Sequence, residues 1–175
     1  MKSALLISAV AAVAMLTTSC GGGSGPPVEA SPPGGSPAEP SPPVSLAGTW
    51  TGTGVDSNER TGLKGATIVT LTLVQTGANV SGTVTTRAVD PTDGSCNSCH
   101  RNKTGTFSGT VAGTTMTLAM SFPAGVAGDP TPICTQTLTG TASGITKSSL
   151  TGLYSGADSC EGPMLDGTLT MARQP

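Results

Sequence analysis

The sequence predicts an all-β fold, a small antiparallel up-and-down β-barrel of about eight strands, on three observations. Beyond residue 45 apolar and polar residues alternate over short runs that Gly, Asn and Asp interrupt, the pattern of strands with one buried face. No ten-residue window after the first 20 residues has a helical period. An apolar residue, then Ser or Thr, then Gly recurs as Trp50-Thr51-Gly52, Val80-Ser81-Gly82, Phe107-Ser108-Gly109, Leu138-Thr139-Gly140 and Leu150-Thr151-Gly152. Side chains alternate along a strand, so the apolar residue and the Gly two positions later face the same way. Gly inside a strand marks strong bending or close backbone approach, and such kinks let a sheet curl and close.

Residues 1–19 read as a secretory signal peptide. Lys2 supplies a positive start, Ala4 to Met15 an apolar stretch, and Thr17, Thr18 and Ser19 small residues before Cys20. The stretch is too short to span a bilayer. Thr-Thr-Ser-Cys at 17–20 resembles the lipobox of bacterial lipoproteins, which implies cleavage before Cys20 and diacylglycerol on its sulfur. Parity agrees, since five cysteines in an exported chain leave one over and a lipidated Cys20 leaves four.

Residues 20–45 form a linker. Between Gly21 and Ser45, 19 of 25 residues are Gly, Pro or Ser, so the segment cannot bury enough apolar surface to fold. Its Pro pairs favour extended polyproline II, with a reach of roughly 30 Å as a coil to 75 Å fully extended. It reads as a spacer that lifts a domain off a membrane.

Residues 46–175 are long enough for one compact core. Eight strands are expected, at about 47–55, 66–75, 79–87, 104–111, 114–122, 133–142, 148–155 and 166–173. Gly77-Ala78-Asn79, Ala112-Gly113 and Ser143-Gly144 supply hairpin turns, which fits sequential, up-and-down order. Gly48-Thr49-Trp50 resembles the G-x-W signature of the calycins (lipocalins, avidin and relatives), and Arg173 matches the place where they set an Arg over the Trp. The resemblance spans 46–175. It implies a barrel closed around a small apolar ligand or a protease loop, and with Trp50 and Arg173 paired as the resemblance implies, the two read as a plug closing the barrel floor by a cation–π contact.

Four cysteines remain. Cys134 and Cys160 flank a turn near Ser143 to Ser148, so hairpin fold-back brings them together as a disulfide. No third ligand is evident near them, which argues against a metal there. Cys96-Asn97-Ser98-Cys99-His100 matches the c-type haem attachment motif, in which two thiols hold the haem and the His ligates iron. Met116, Met120, Met164 and Met171 are the only candidates for a second protein ligand. Three readings stay open: a Cys96–Cys99 loop disulfide beside a solvated His100, which the polar loop favours; covalent haem c on Cys96, Cys99 and His100; and a metal held by both thiols, His100 and Asp90 or Asp93.

Composition excludes several functions. With eight Lys and Arg against ten Asp and Glu, and only four aromatics, the chain has neither the basic face nor the stacking rings that nucleic-acid binding needs. Carbohydrate platforms built on exposed rings fail the same test. A single His, no G-x-S-x-G, no Walker loop, no H-E-x-x-H and scattered carboxylates leave catalysis without support. The expectation is a non-enzymatic lipoprotein without cofactor, anchored to the membrane through Cys20 and facing the periplasm or exterior. A small apolar ligand or an envelope protein is the partner to look for, and the monohaem electron carrier is the alternative.

Overall fold

The computed structural model describes residues 44–90, 92, 102–124 and 134–175. The eight strands are β1 (Gly48–Asn58), β2 (Lys64–Thr76), β3 (Asn79–Ala88), β4 (Lys103–Ala112), β5 (Thr115–Phe122), β6 (Gln136–Ser143), β7 (Ser149–Asp158) and β8 (Gly162–Arg173). Each pairs antiparallel with the next and β8 closes onto β1, so the sheet is an up-and-down barrel without free edges.

The alternation seen in the sequence becomes an inside and an outside. Trp50, Leu71, Val84, Phe107, Met116, Phe122, Leu150, Leu169 and Met171 point inward and are buried. A barrel of eight strands is just wide enough for such side chains to fill. The outer wall carries mostly hydroxyls, with Val74 and Leu153 its exposed apolar side chains. One register line runs through Thr49, Thr72, Thr83, Thr106, Ser121 and Thr137 across six consecutive strands, all exposed. Thr suits this place because its branched side chain favours strands while its hydroxyl stays wet. Strands that span a bilayer show the reverse, apolar outward and polar inward.

The triplet glycines bend the wall. A Cβ on Gly140 would meet the Leu153 carbonyl oxygen and lie 2.8 Å from Tyr154 Cα on the neighbouring strand, and a Cβ on Gly82 would lie 2.9 Å from the Thr72 carbonyl carbon. Real side chains do not fit there, and the strand passes closer to its neighbour than any other residue permits. The hairpin glycines have a different task. Gly77, Gly113 and Gly144 sit at φ of 59°, 59° and 60° with open space around them, the left-handed conformation that tight hairpin turns require.

β8 is the irregular strand. Its register shifts against both neighbours between Met164 and Thr168, and Asp166 within that stretch has a φ of 53°. One extra residue there bulges the strand outward and increases its local twist.

Candidate functional site: the loop end of the barrel

The two ends of the barrel differ in chemistry. At one end the connections are short, at 77–78, 113–114 and 144–148, and the floor is shut by Leu46, Trp50 and Arg173. Trp50 is fully buried and donates its Nε1–H to the Leu46 carbonyl at 2.8 Å. The Arg173 guanidinium lies 5.5 Å from the ring centroid and donates to the backbone carbonyls of Ala47, Ser45 (3.4 Å) and Lys147 (3.3 Å). The floor is a plug of stacked and hydrogen-bonded groups.

At the opposite end the interior turns polar. Asp56, Asn58, Lys103, Gln136, Asp158 and Glu161 are all buried, and burial of that kind survives only where the groups satisfy one another. Lys103 reaches across the barrel from β4 to β7, its Nζ 3.3 Å from Asp158 Oδ2. Tyr154 donates its hydroxyl to Asp56 Oδ2 at 2.6 Å. Asn58 donates to the Glu161 carbonyl at 3.0 Å, Gln136 Nε2 lies 2.8 Å from Met164 Sδ, and Arg60 pairs with the Glu161 carboxylate. Burial, then the Asp56 charge and hydrogen bond, push the Tyr154 phenol well above its usual range. The phenol is therefore a fixed hydrogen-bond donor, held protonated, and not a proton shuttle.

Around this polar interior the rim is partly apolar. Leu63, Val89 and Leu165 are 48%, 54% and 39% exposed. They belong to one side of the mouth: Leu165 and Lys64 both face Ser57 in register, and Val89 extends the β2–β3 ladder by donating to the Ala66 carbonyl at 3.0 Å. All four connections between β1–β2, β3–β4, β5–β6 and β7–β8 leave from this end. Loops on a rigid scaffold are where binding residues concentrate.

Cys134 and Cys160 form a disulfide at the same end, with Cα atoms 5.5 Å apart. Beside it lies a group the sequence reading missed: the Asp158 carboxylate, whose oxygen sits with the two sulfurs in a cluster spanning no more than 4.8 Å. The spacing Asp158-Ser159-Cys160 was the available signal. Cys20, Cys96, Cys99, His100 and Asp93 lie outside the described residues. Asp90 is described, and its carboxylate accepts the Thr92 hydroxyl at 2.7 Å and the Thr92 N–H at 2.8 Å, which hold it below the usual carboxylate range. The four methionines that were candidates for a second haem ligand are buried. Met116, Met120, Met164 and Met171 are 1–3% exposed and pack within the barrel.

Outside the barrel, shallow depressions of about 510 and 520 Å³ lie over β6–β8 and β3–β5. Their outward-facing lining is mostly Thr and Ser, continuous with the rest of the wall.

No family model and no curated protein matches the chain. Among solved structures it is similar to EF1p2_mFAP2b bound to DFHBI, at 12% identity over 74% of this chain and 94% of that one, with a TM-score of 0.51. Two redesigned β-barrels are also similar: mFAP1 bound to DFHBI, at 14% identity over 74% and 94% with a TM-score of 0.46, and b11L5F_LGL, at 17% identity over 74% and 92% with a TM-score of 0.45. The first of these likenesses supports the barrel fold and goes no further.

Proposed function

We propose that this chain is a non-enzymatic, extracytoplasmic lipoprotein whose calycin-like barrel binds an envelope protein through its loop end. In this reading residues 1–19 are removed, Cys20 carries the lipid, and residues 20–45 tether a barrel that faces the periplasm or exterior. The chain enters the barrel at its closed end, where Val44 and Leu46 lie beside Gln75 and Trp50.

One observation carries the choice of partner. Buried Leu, Met, Phe and Trp side chains crowd the interior toward the closed end and polar ones toward the loop end, which supports recognition on the outside over an enclosed apolar ligand. There the wall is mostly hydroxyls with Val74 and Leu153 as separate exposed apolar side chains, whereas the loop end gathers three, Leu63, Val89 and Leu165, with buried charge behind them. Exposed apolar groups gathered at one rim are the usual mark of a protein contact.

The test places a photo-crosslinking amino acid at Leu63, Val89, Thr83 or Thr106 of the full chain in its own cells. A discrete protein adduct from Leu63 and Val89, with none from the wall positions Thr83 and Thr106, is expected. Adducts from the wall alone, or equally from all four, overturn the assignment of the loop end.

A further inference from the structure

We propose that Cys134, Cys160 and Asp158 form a metal site when the disulfide is reduced, selective for a thiophilic divalent cation such as Zn²⁺. The site lies at the same loop end as the proposed partner surface but uses none of Leu63, Val89 and Leu165, so it does not rest on that reading.

The donor set fits such a cation. Two thiolates and one carboxylate are ligands that Zn²⁺ takes, at about 2.3 Å to sulfur and 2.0–2.2 Å to oxygen in tetrahedral geometry. The Asp158 oxygen lies within 4.8 Å of both sulfurs, and once the disulfide is cut the two sulfurs must part by roughly 2 Å to take tetrahedral positions about 2.3 Å from an ion. Cys160 is exposed while Cys134 and Asp158 are buried. An ion therefore reaches the site from solvent past Cys160, and the fourth position stays open to water.

The sulfurs do not depend on the disulfide for their proximity. Ser159 donates its N–H to the Thr135 carbonyl at 2.8 Å, and Thr135 donates its N–H back to Ser159 Oγ at 2.8 Å. Gln136 pairs in register with Asp158. These bonds clip the strand that follows Cys134 to the turn that carries Cys160. Asp158 Oδ1 meanwhile accepts the N–H groups of Cys160 (2.9 Å) and Glu161 (3.2 Å), which fixes the turn and the carboxylate together. None of these bonds involves a cysteine sulfur, so each can persist on reduction.

Charge also balances. The Lys103 ammonium, 3.3 Å from Asp158 Oδ2, disfavours a bare cation but matches the complete complex: a dication with two thiolates and one carboxylate carries one negative charge, and the ammonium cancels it. A neutral cluster is what a buried site tolerates. The chemistry runs in two steps. A phosphine with water cleaves the disulfide, giving two thiols and the phosphine oxide; the metal ion then replaces the two thiol protons, which leave to solvent.

The experiment uses the full chain with Cys20→Ser, Cys96→Ser and Cys99→Ser, so that the pair in question holds the only thiols. The phosphine-reduced protein is titrated with Co²⁺ under anaerobic conditions, followed by visible absorption and by far-UV circular dichroism. One Co²⁺ per chain is expected, with the strong bands of tetrahedral thiolate coordination, displaced by one equivalent of Zn²⁺. The oxidised protein is expected to bind none. Adding Cys134→Ser or Cys160→Ser should abolish the bands, and Asp158→Asn should weaken binding by about tenfold or more. Absence of tetrahedral bands in the reduced protein, whether the barrel remains folded or not, overturns the site, as does an Asp158→Asn affinity equal to that of its parent.

Discussion

Tyr154 Oη and Asp56 Oδ2 meet at 2.6 Å inside the barrel, joining β7 to β1 past the intervening β8. Burial, and after it the carboxylate beside the phenol, raise its pKa from the ordinary 10.0. A group that holds its proton more tightly when folded stabilises the fold fully below its unfolded pKa and loses that contribution as pH climbs toward the folded value. Stability should therefore be flat through neutral pH and fall above about pH 10, by up to about 1.4 kcal/mol per pH unit. Tyr154 is the sole tyrosine, so phenolate absorbance reports it directly and should appear together with unfolding. Tyr154→Phe should cost about 1–3 kcal/mol at neutral pH by removing one partner of the buried Asp56, and should flatten the alkaline slope.

Closure of the wall should be most sensitive at its kinks. Gly140→Ala and Gly82→Ala place a methyl group against the backbone of the next strand, and each should cost roughly 2–3 kcal/mol or more, as overpacking does. Gly77→Ala is the control: it meets nothing within 4 Å but sits at a φ of 59°, and should cost about 1 kcal/mol. Denaturant midpoints for the three variants give the order directly. Equal losses at all three would contradict the close-approach account.

The floor plug should be a stability device. Arg173→Ala removes the stack on Trp50 and the bonds that tie Ser45, Ala47 and Lys147 together, at a cost of about 1–2 kcal/mol. Trp50, the only tryptophan and fully buried, should shift its fluorescence to the red as the floor loosens. Arg173→Lys keeps the charge but not the planar fork, and should recover part of the loss only.

The Cys134–Cys160 disulfide closes a segment of 26 residues, for which chain entropy gives about 3–4 kcal/mol. Cys134→Ser with Cys160→Ser should lower the thermal midpoint accordingly. The β6–β7 register and the Thr135–Ser159 clip should persist, visible as continued amide-exchange protection in those strands.

The eight strands and their up-and-down order were legible because one buried face forces strict alternation. The expected boundaries fail at one end only. β1 runs to Asn58 and not 55, β6 starts at Gln136 and not 133, β7 runs to Asp158 and not 155, and β8 starts at Gly162 and not 166. There the inward positions hold Asp56, Asn58 and Asp158, whose polarity erases the apolar rhythm, and the bulge at Asp166 breaks the period of two. The same polarity hid the site. Nothing local to Lys103 shows that it will meet Asp158 across the barrel, a pairing set by closure of the sheet, whereas the Cys134–Cys160 pair was readable because a single hairpin brings its members together.

The intact mass of the protein purified from membranes tests the central reading most directly. The account predicts a polypeptide beginning at Cys20, heavier by a diacylglycerol group and lighter by the four hydrogens of two disulfides. A chain with an unmodified Cys20, or one heavier by a covalently bound haem, would contradict it.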